Sequence, residues 1–213
     1  MRQLVLQNVS YAYPGSNQPL LTGINCTLTA GELVLLTGAN GSGKSTLARM
    51  ITGLIAPDSG EITGRREPAS GWNGVGLVMQ DPSSQMLTSS VVGELAWGLE
   101  NIGLELPEIA RKTEHALVDF GLTGIRYKSP EVLADGELQL VATAATSIME
   151  PDFIVFDEAT AYLDLKWRRR VWNAARQAAE RCGVIWISTR DSAIEGVSSI
   201  WKIEAGRLSI RNT

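Results

Sequence analysis

Gly38-Ala39-Asn40-Gly41-Ser42-Gly43-Lys44-Ser45-Thr46 satisfies every fixed position of the phosphate-binding pattern G-x-x-x-x-G-K-[ST]. Glycines let backbone N–H groups curl around phosphate oxygens, where side chains would intrude. A lysine at position 44 reaches the β- and γ-phosphates, and the Ser45 hydroxyl is a Mg²⁺ ligand. The nucleotide-contacting set read from the motif is Gly38, Asn40, Gly41, Ser42, Gly43, Lys44, Ser45 and Thr46. Asp157-Glu158 is the second constellation, directly after the apolar run Phe153-Ile154-Val155-Phe156. Asp157 is the acid that holds Mg²⁺ opposite the phosphate loop, and Glu158 is placed to polarise an attacking water. Each motif has a plainer reading, a glycine-rich turn or a solvated pair at a strand end. Their co-occurrence in one chain favours Mg²⁺–nucleoside triphosphate chemistry.

Such residues need strands and helices to hold them. Leu33–Thr37 reads as a buried strand leading into the loop, and Leu47–Ile51 as the helix that leaves it, its N-terminus adding partial positive charge for phosphate. Phe153–Phe156 and Val184–Ile187 are continuous apolar runs, as in strands covered on both faces of a parallel sheet. Leu4–Tyr11, Ile24–Leu28 and Val75–Gln80 read as further strands, with Ser199–Ile203 and Arg207–Ile210 as a closing hairpin around Ala205-Gly206. Between about 83 and 147 the pattern turns helical, with Pro107-Glu108 near one helix start. The class is α/β with a helical insertion.

Composition narrows the setting. A chain of 213 residues with 44% hydrophobic content suits one domain with an ordinary core. Net charge of −4, without a basic stripe, argues against nucleic acid as a partner. Cys26 and Cys182 lie far apart in no metal-binding spacing, and read as reduced structural thiols of a cytoplasmic protein. No secretory pattern opens the sequence, and no run approaches the roughly 20 apolar residues that cross a bilayer.

With these motifs in place, the chain resembles the nucleotide-binding subunits of ABC transporters along nearly its whole length. Gln80 matches the family's Q-loop glutamine, which implies a role in sensing Mg²⁺ and water; Tyr13 matches the aromatic that stacks on adenine. Asp164, in Ala161-Tyr162-Leu163-Asp164, matches the D-loop acid. Leu133-Ala134-Asp135-Gly136-Glu137 stands where the family has its signature, Leu-Ser-Gly-Gly-Gln. Gln80-Asp81-Pro82-Ser83-Ser84-Gln85 and the later Gly98-Leu99-Glu100-Asn101 are similar to the ATPases of energy-coupling factor importers. The resemblance implies a P-loop NTPase fold of the ABC-ATPase type, with an N-terminal antiparallel β subdomain. It divides the chain into a core at 1–82 and 148–213 and a helical subdomain at 83–147. It also implies ATP and Mg²⁺ as cofactors, a second ATPase chain, and a transmembrane coupling subunit with a substrate-binding membrane subunit. The chain would sit on the inner face of the cell membrane.

Three departures from the family pattern stand out. Ala134 replaces the serine that donates to a γ-phosphate across the dimer, a charge-assisted bond worth about 1.5–3 kcal/mol. Asp135 puts a carboxylate where a glycine meets phosphate, and Arg190 replaces the switch histidine. Arg190 stays protonated and offers several donors to phosphate, yet lacks a titratable imidazole. In that family a signature serves the partner's nucleotide, so a heterodimer gives one site Arg190 and the other Ala134 and Asp135, whereas a homodimer gives each site all three. The expectation favours a heterodimer, with a hydrolysis-poor regulatory subunit as the alternative to a motor subunit. A soluble ABC protein of DNA repair or translation fits less well, for want of coiled coils or a second cassette. Trp97 is a candidate for lining a groove that receives a coupling helix, against plain packing, and Glu94 for an acidic contact to a basic coupling helix, against a solvated face. His115 and Arg168-Arg169-Arg170 read as surface helix residues, and Trp186 as core.

Overall fold

The computed structural model describes residues 2–16, 18–67, 71–189 and 196–213. Two sheets pack face to face. The smaller is antiparallel, in the order β2 (Leu21–Thr29), β1 (Gln3–Tyr11), β4 (Ser59–Thr63). The larger runs β5 (Val75–Val78), β6 (Phe153–Asp157), β7 (Gly183–Ile187), β3 (Leu33–Gly38), β8 (Ser199–Glu204), β9 (Arg207–Asn212). Its strands are parallel except for β9, which returns antiparallel on β8 through Ala205-Gly206. Both turn residues have positive φ, 47° and 74°, as a two-residue hairpin with right-handed twist requires.

The continuous apolar runs are explained by the two covers on this sheet. Along β3, Val34 and Leu36 face the core shared with β1, β2 and α1 (Lys44–Thr52), whereas Leu33 and Leu35 face the opposite core. β6 and β7 divide in the same way: Phe153, Val155, Ile185 and Ile187 point to the first core, and Ile154, Phe156, Val184 and Trp186 to the second. Every side chain of these strands loses water, so polar alternation would be destabilising.

The second core is closed by α2 (Val91–Asn101), α3 (Leu106–Asp119), α4 (Asp135–Ile148) and α5 (Leu165–Ala179). The first three lie between β5 and β6 in sequence. Pro107 sits in the first turn of α3, where its missing N–H costs no hydrogen bond. β5 ends at Val78, two residues short of the expected strand, so Met79 and Gln80 leave the sheet at its edge. Trp186 is buried between Trp172 and Phe156, at ring separations of 4.9 and 5.2 Å. His115 is exposed on α3, as expected.

Candidate functional site

Register brings the two constellations together. Ile187 on β7 pairs with Leu36 of β3 on one side and with Asp157 of β6 on the other. The loop after β3 and the carboxylates after β6 therefore emerge at one level of the same carboxyl edge. Ligands of open parallel sheets bind at such edges.

The loop is shaped by close approach. Gly38 has φ 149°, and a Cβ there would meet the Ile203 carbonyl at 2.6 Å and Ser42 Oγ at 2.8 Å. Gly43, at φ 104°, caps α1 in a left-handed conformation that no branched side chain tolerates easily. Lys44 is buried and donates from Nζ to the carbonyls of Gly38 and Ala39, both at 3.0 Å. Its Nζ lies 3.9 Å from Glu158 Oε1. Ser45 Oγ donates to Asp157 Oδ1 at 3.0 Å. Burial raises the Asp157 carboxyl above its usual range, opposed by the Ser45 hydroxyl and then by the charges of Arg49 and Lys44. Glu158 has φ 50°, a left-handed conformation uncommon for a residue with a side chain. Its N–H donates to the Ile187 carbonyl at 3.2 Å and its carbonyl accepts from Ala161 N–H at 3.0 Å, which fixes the turn.

The residues fit a Mg²⁺–nucleotide. Ser42 Oγ is buried without a hydrogen-bond partner among the described residues, inside a loop whose curvature suits phosphate. Ser45 and Asp157 offer the hard oxygen donors, few in number, that Mg²⁺ takes when substrate phosphates and waters supply the rest. Tyr13 is 45% exposed, with its hydroxyl 2.9 Å from Thr46 Oγ1 and its ring held edge-on by Tyr11. An aromatic face anchored to the loop helix is available to a base.

Other candidates lie elsewhere. Ala134 and Asp135 are exposed and Gly136 buried at the start of α4, with no hydrogen bond or ion pair to the phosphate loop among the described residues. Ala134 lacks an acceptor, so only half a capping box survives: Glu137 Oε2 accepts from Ala134 N–H at 3.1 Å. Asp164 caps α5, its Oδ1 accepting from Trp167 N–H at 3.0 Å. Gln80 is half-buried beyond β5. Arg190 lies outside the described residues.

Glu94 is not the solvated acid expected, although it lines the same groove as Trp97. It is buried, and its carboxylate accepts from Leu87 N–H at 2.7 Å and from Thr88 N–H. An acid on α2 thus ties down the turn before it, because two backbone donors there would otherwise be orphaned. Trp97, 45% exposed, does line a groove of about 410 Å³ with Trp72, Leu77, Met86 and Met149.

Gln85 was marked only by its motif and Gln139 was missed; both turn out to hold backbone. Gln85 accepts from Met79 N–H at 2.7 Å and donates to the Leu77 carbonyl at 2.9 Å. Gln139 on α4, 1% exposed, donates to the Met79 carbonyl at 3.1 Å. Both hold the backbone just ahead of Gln80. For Gln139 the legible signal was a polar residue between two leucines of a helix.

Residues 21–161 match the ABC transporter family. The chain is 34% identical over 216 residues to the energy-coupling factor transporter ATP-binding protein EcfA of Methanosarcina acetivorans, covering 98% of this chain and 78% of that protein. It is 36% identical over 195 residues to EcfA1 of Halalkalibacterium halodurans, covering 88% and 70%. Among solved structures it resembles cbiO1 of Clostridium perfringens, described as part of the ABC transporter complex cbiONQ. That likeness has a TM-score of 0.83 at 28% identity, over 98% of this chain and 88% of the other.

Proposed function

Since this chain belongs to the ABC transporter family, as an ATP-binding protein of the energy-coupling factor type, we propose that it is the motor subunit of an importer. Its cargo would be a transition-metal ion or a vitamin. The observation that carries the reading is the convergence of Lys44 Nζ, Ser45 Oγ, Asp157 and Glu158 at one sheet edge, with Glu158 held in a left-handed turn. Lys44 binds the β- and γ-phosphate oxygens, and the loop amides and Ser42 hydroxyl take the remainder. Ser45 and Asp157, with Gln80 alongside, would hold Mg²⁺, which when bound neutralises phosphate charge. Glu158 accepts a hydrogen bond from the attacking water and orients its lone pair toward the γ-phosphorus. The bond that breaks joins that phosphorus to the oxygen bridging it to the β-phosphate. Tyr13 stacks on the base.

In this reading residues 1–82 and 148–213 form the nucleotide-binding core and 83–147 the helical arm. No helix among the described residues is long and apolar enough to cross a membrane. The chain therefore docks on a transmembrane coupling subunit, itself paired with a substrate-binding membrane subunit, on the cytoplasmic face. The groove at Trp97 is the surface offered to it. Gln80, held through Met79 by Gln139 and Gln85, links the site to that groove.

The test is phosphate release from Mg·ATP by the purified chain beside Glu158→Gln. Loss of about 10²-fold or more, with nucleotide binding retained, is the expected result. Equal rates in both proteins would refute the role given to Glu158.

A second reading is favoured by Ala134 and Asp135, which leave the exposed start of α4 without a hydroxyl donor and with an added negative charge. Here the chain is one half of an asymmetric pair with a different ATPase chain. Its own phosphate loop is completed by that partner's signature, while the partner's nucleotide receives the altered one.

A further inference from the structure

Gly136 is a glycine for a reason that lies inside this chain. A Cβ at that position would sit 2.2–2.4 Å from three ring atoms of Trp167. The indole thus lies directly on the backbone of the first turn of α4. Its own backbone is fixed as well, since Trp167 N–H donates to Asp164 Oδ1 at the cap of α5. Two cations hold the ring: the Arg170 guanidinium lies 4.8 Å and Lys166 Nζ 5.4 Å from its centroid. Arg170 is anchored in turn, donating to the Phe120 carbonyl at 2.7 Å. Lys166 and its basic neighbours crowd the positive end of the α5 dipole, with no acid in its first turn. Cations there are unfavourable by themselves, and stacking on the indole offsets the cost. Arg168 reaches back to the Ala161 carbonyl.

We propose that Trp167 is a positioning residue that locks the start of α4, residues 134–137, to the segment 161–164, so that the two move as one body. The proposal rests on the reading of this chain as one of two ATPase chains, in which residues 134–137 serve the partner's nucleotide. A shift of 161–164 on closure would then carry Ala134 and Asp135 with it, through the ring rather than through the long covalent path. Displacements of about 1 Å are enough to change turnover by up to about 10²-fold.

The test begins with amide hydrogen exchange in the isolated chain. Leu138 N–H, bonded to the Ala134 carbonyl at 2.9 Å, reports α4; Arg168 N–H, bonded to the Asp164 carbonyl at 2.9 Å, reports α5. Gly136→Ala should speed exchange at Arg168 several-fold. In a Trp167→Ala background the same Gly136→Ala change should leave Arg168 unmoved. Trp167→Phe should keep both sites near the wild-type rate. Phosphate release by the assembly that co-purifies with the tagged chain supplies the functional readout. There Trp167→Ala should lower kcat about tenfold with KM for ATP within about twofold, and Trp167→Phe should restore most of it. An Arg168 amide indifferent to Gly136→Ala overturns the proposal, as does unchanged kcat in Trp167→Ala. A wild-type chain that binds no fluorescent ATP analogue would sink the ATPase reading instead, while the exchange cycle still decides whether the clamp exists.

Discussion

Glu158 and Asp157 are adjacent, yet the fold treats them differently. The φ of 50° at Glu158 disfavours any side chain, so the acid is retained at a cost in stability. Glu158→Gly should raise stability by about 0.5–1 kcal/mol in a denaturant titration while abolishing phosphate release. Asp157 has its carboxyl raised by burial, against the Ser45 hydrogen bond. A raised acid binds a proton in the native state that it has already lost in the unfolded one. Its contribution therefore falls as pH climbs from the ordinary value of 3.8 through the raised one, and is flat above. Asp157→Asn should remove that dependence and raise the melting temperature of the nucleotide-free chain at neutral pH. The same variant should lose the extra thermal stabilisation that Mg²⁺ adds to ATP. A rise in melting temperature without that loss would break the link between Asp157 and Mg²⁺.

Among the elements between β5 and β6, hydrogen bonds to backbone decide which of them hold together. Glu94 caps the Leu87–Thr88 turn from α2, and Ser90 caps α2 itself by accepting from Gly93 N–H. Glu94→Ala removes a charged acceptor from two part-buried backbone donors and should destabilise the chain by about 1–3 kcal/mol, read from the denaturant midpoint. Glu94→Gln, which keeps an acceptor, should cost less. Were Glu94 instead a docking acid on a solvated face, neither variant would change stability. α4 has a double duty. It carries Ala134 and Asp135 at one end, and its buried Gln139 holds the Met79 carbonyl ahead of Gln80. The Arg66–Asp152 pair, bonded at 2.5 and 2.8 Å, secures the chain between β4 and β5 to the start of β6.

Across the proposed assembly, the choice of partner turns on residues 134 and 135. Restoring Ala134→Ser and Asp135→Gly together in the isolated chain adds a donor and removes a like charge where two copies would meet. If the chain pairs with itself, turnover should rise about tenfold or more, the equivalent of the 1.5–3 kcal/mol bond regained. If it works only beside a different ATPase chain, the isolated protein should stay slow, and the gain should appear only in the co-purified assembly. Phosphate-release rates measured on both preparations separate these outcomes. The buried thiols take no part: burial pushes Cys26 up to about 12 and Cys182 up to about 11, consistent with inert structural cysteines.

Much of this was legible in local sequence because the physics behind it is local. A loop that wraps phosphate needs glycines and a lysine at fixed spacing, and strands covered on both faces need unbroken apolar runs, so Gly38–Thr46, Phe153–Phe156 and Val184–Ile187 declared themselves. Proximity was another matter. That Asp157 stands beside Ser45, 112 positions away, follows from Ile187 pairing with both Leu36 and Asp157, a register set by the sheet as a whole. Glu94 reads as an ordinary surface acid of an amphipathic helix until the turn before α2 folds back to supply two donors. Nothing in the spacing around Gly136 foretells that α5 lays Trp167 across it. Spacing along a chain dictates which groups are available; only the packing of distant elements decides which of them lose water, meet a partner, and are held in place.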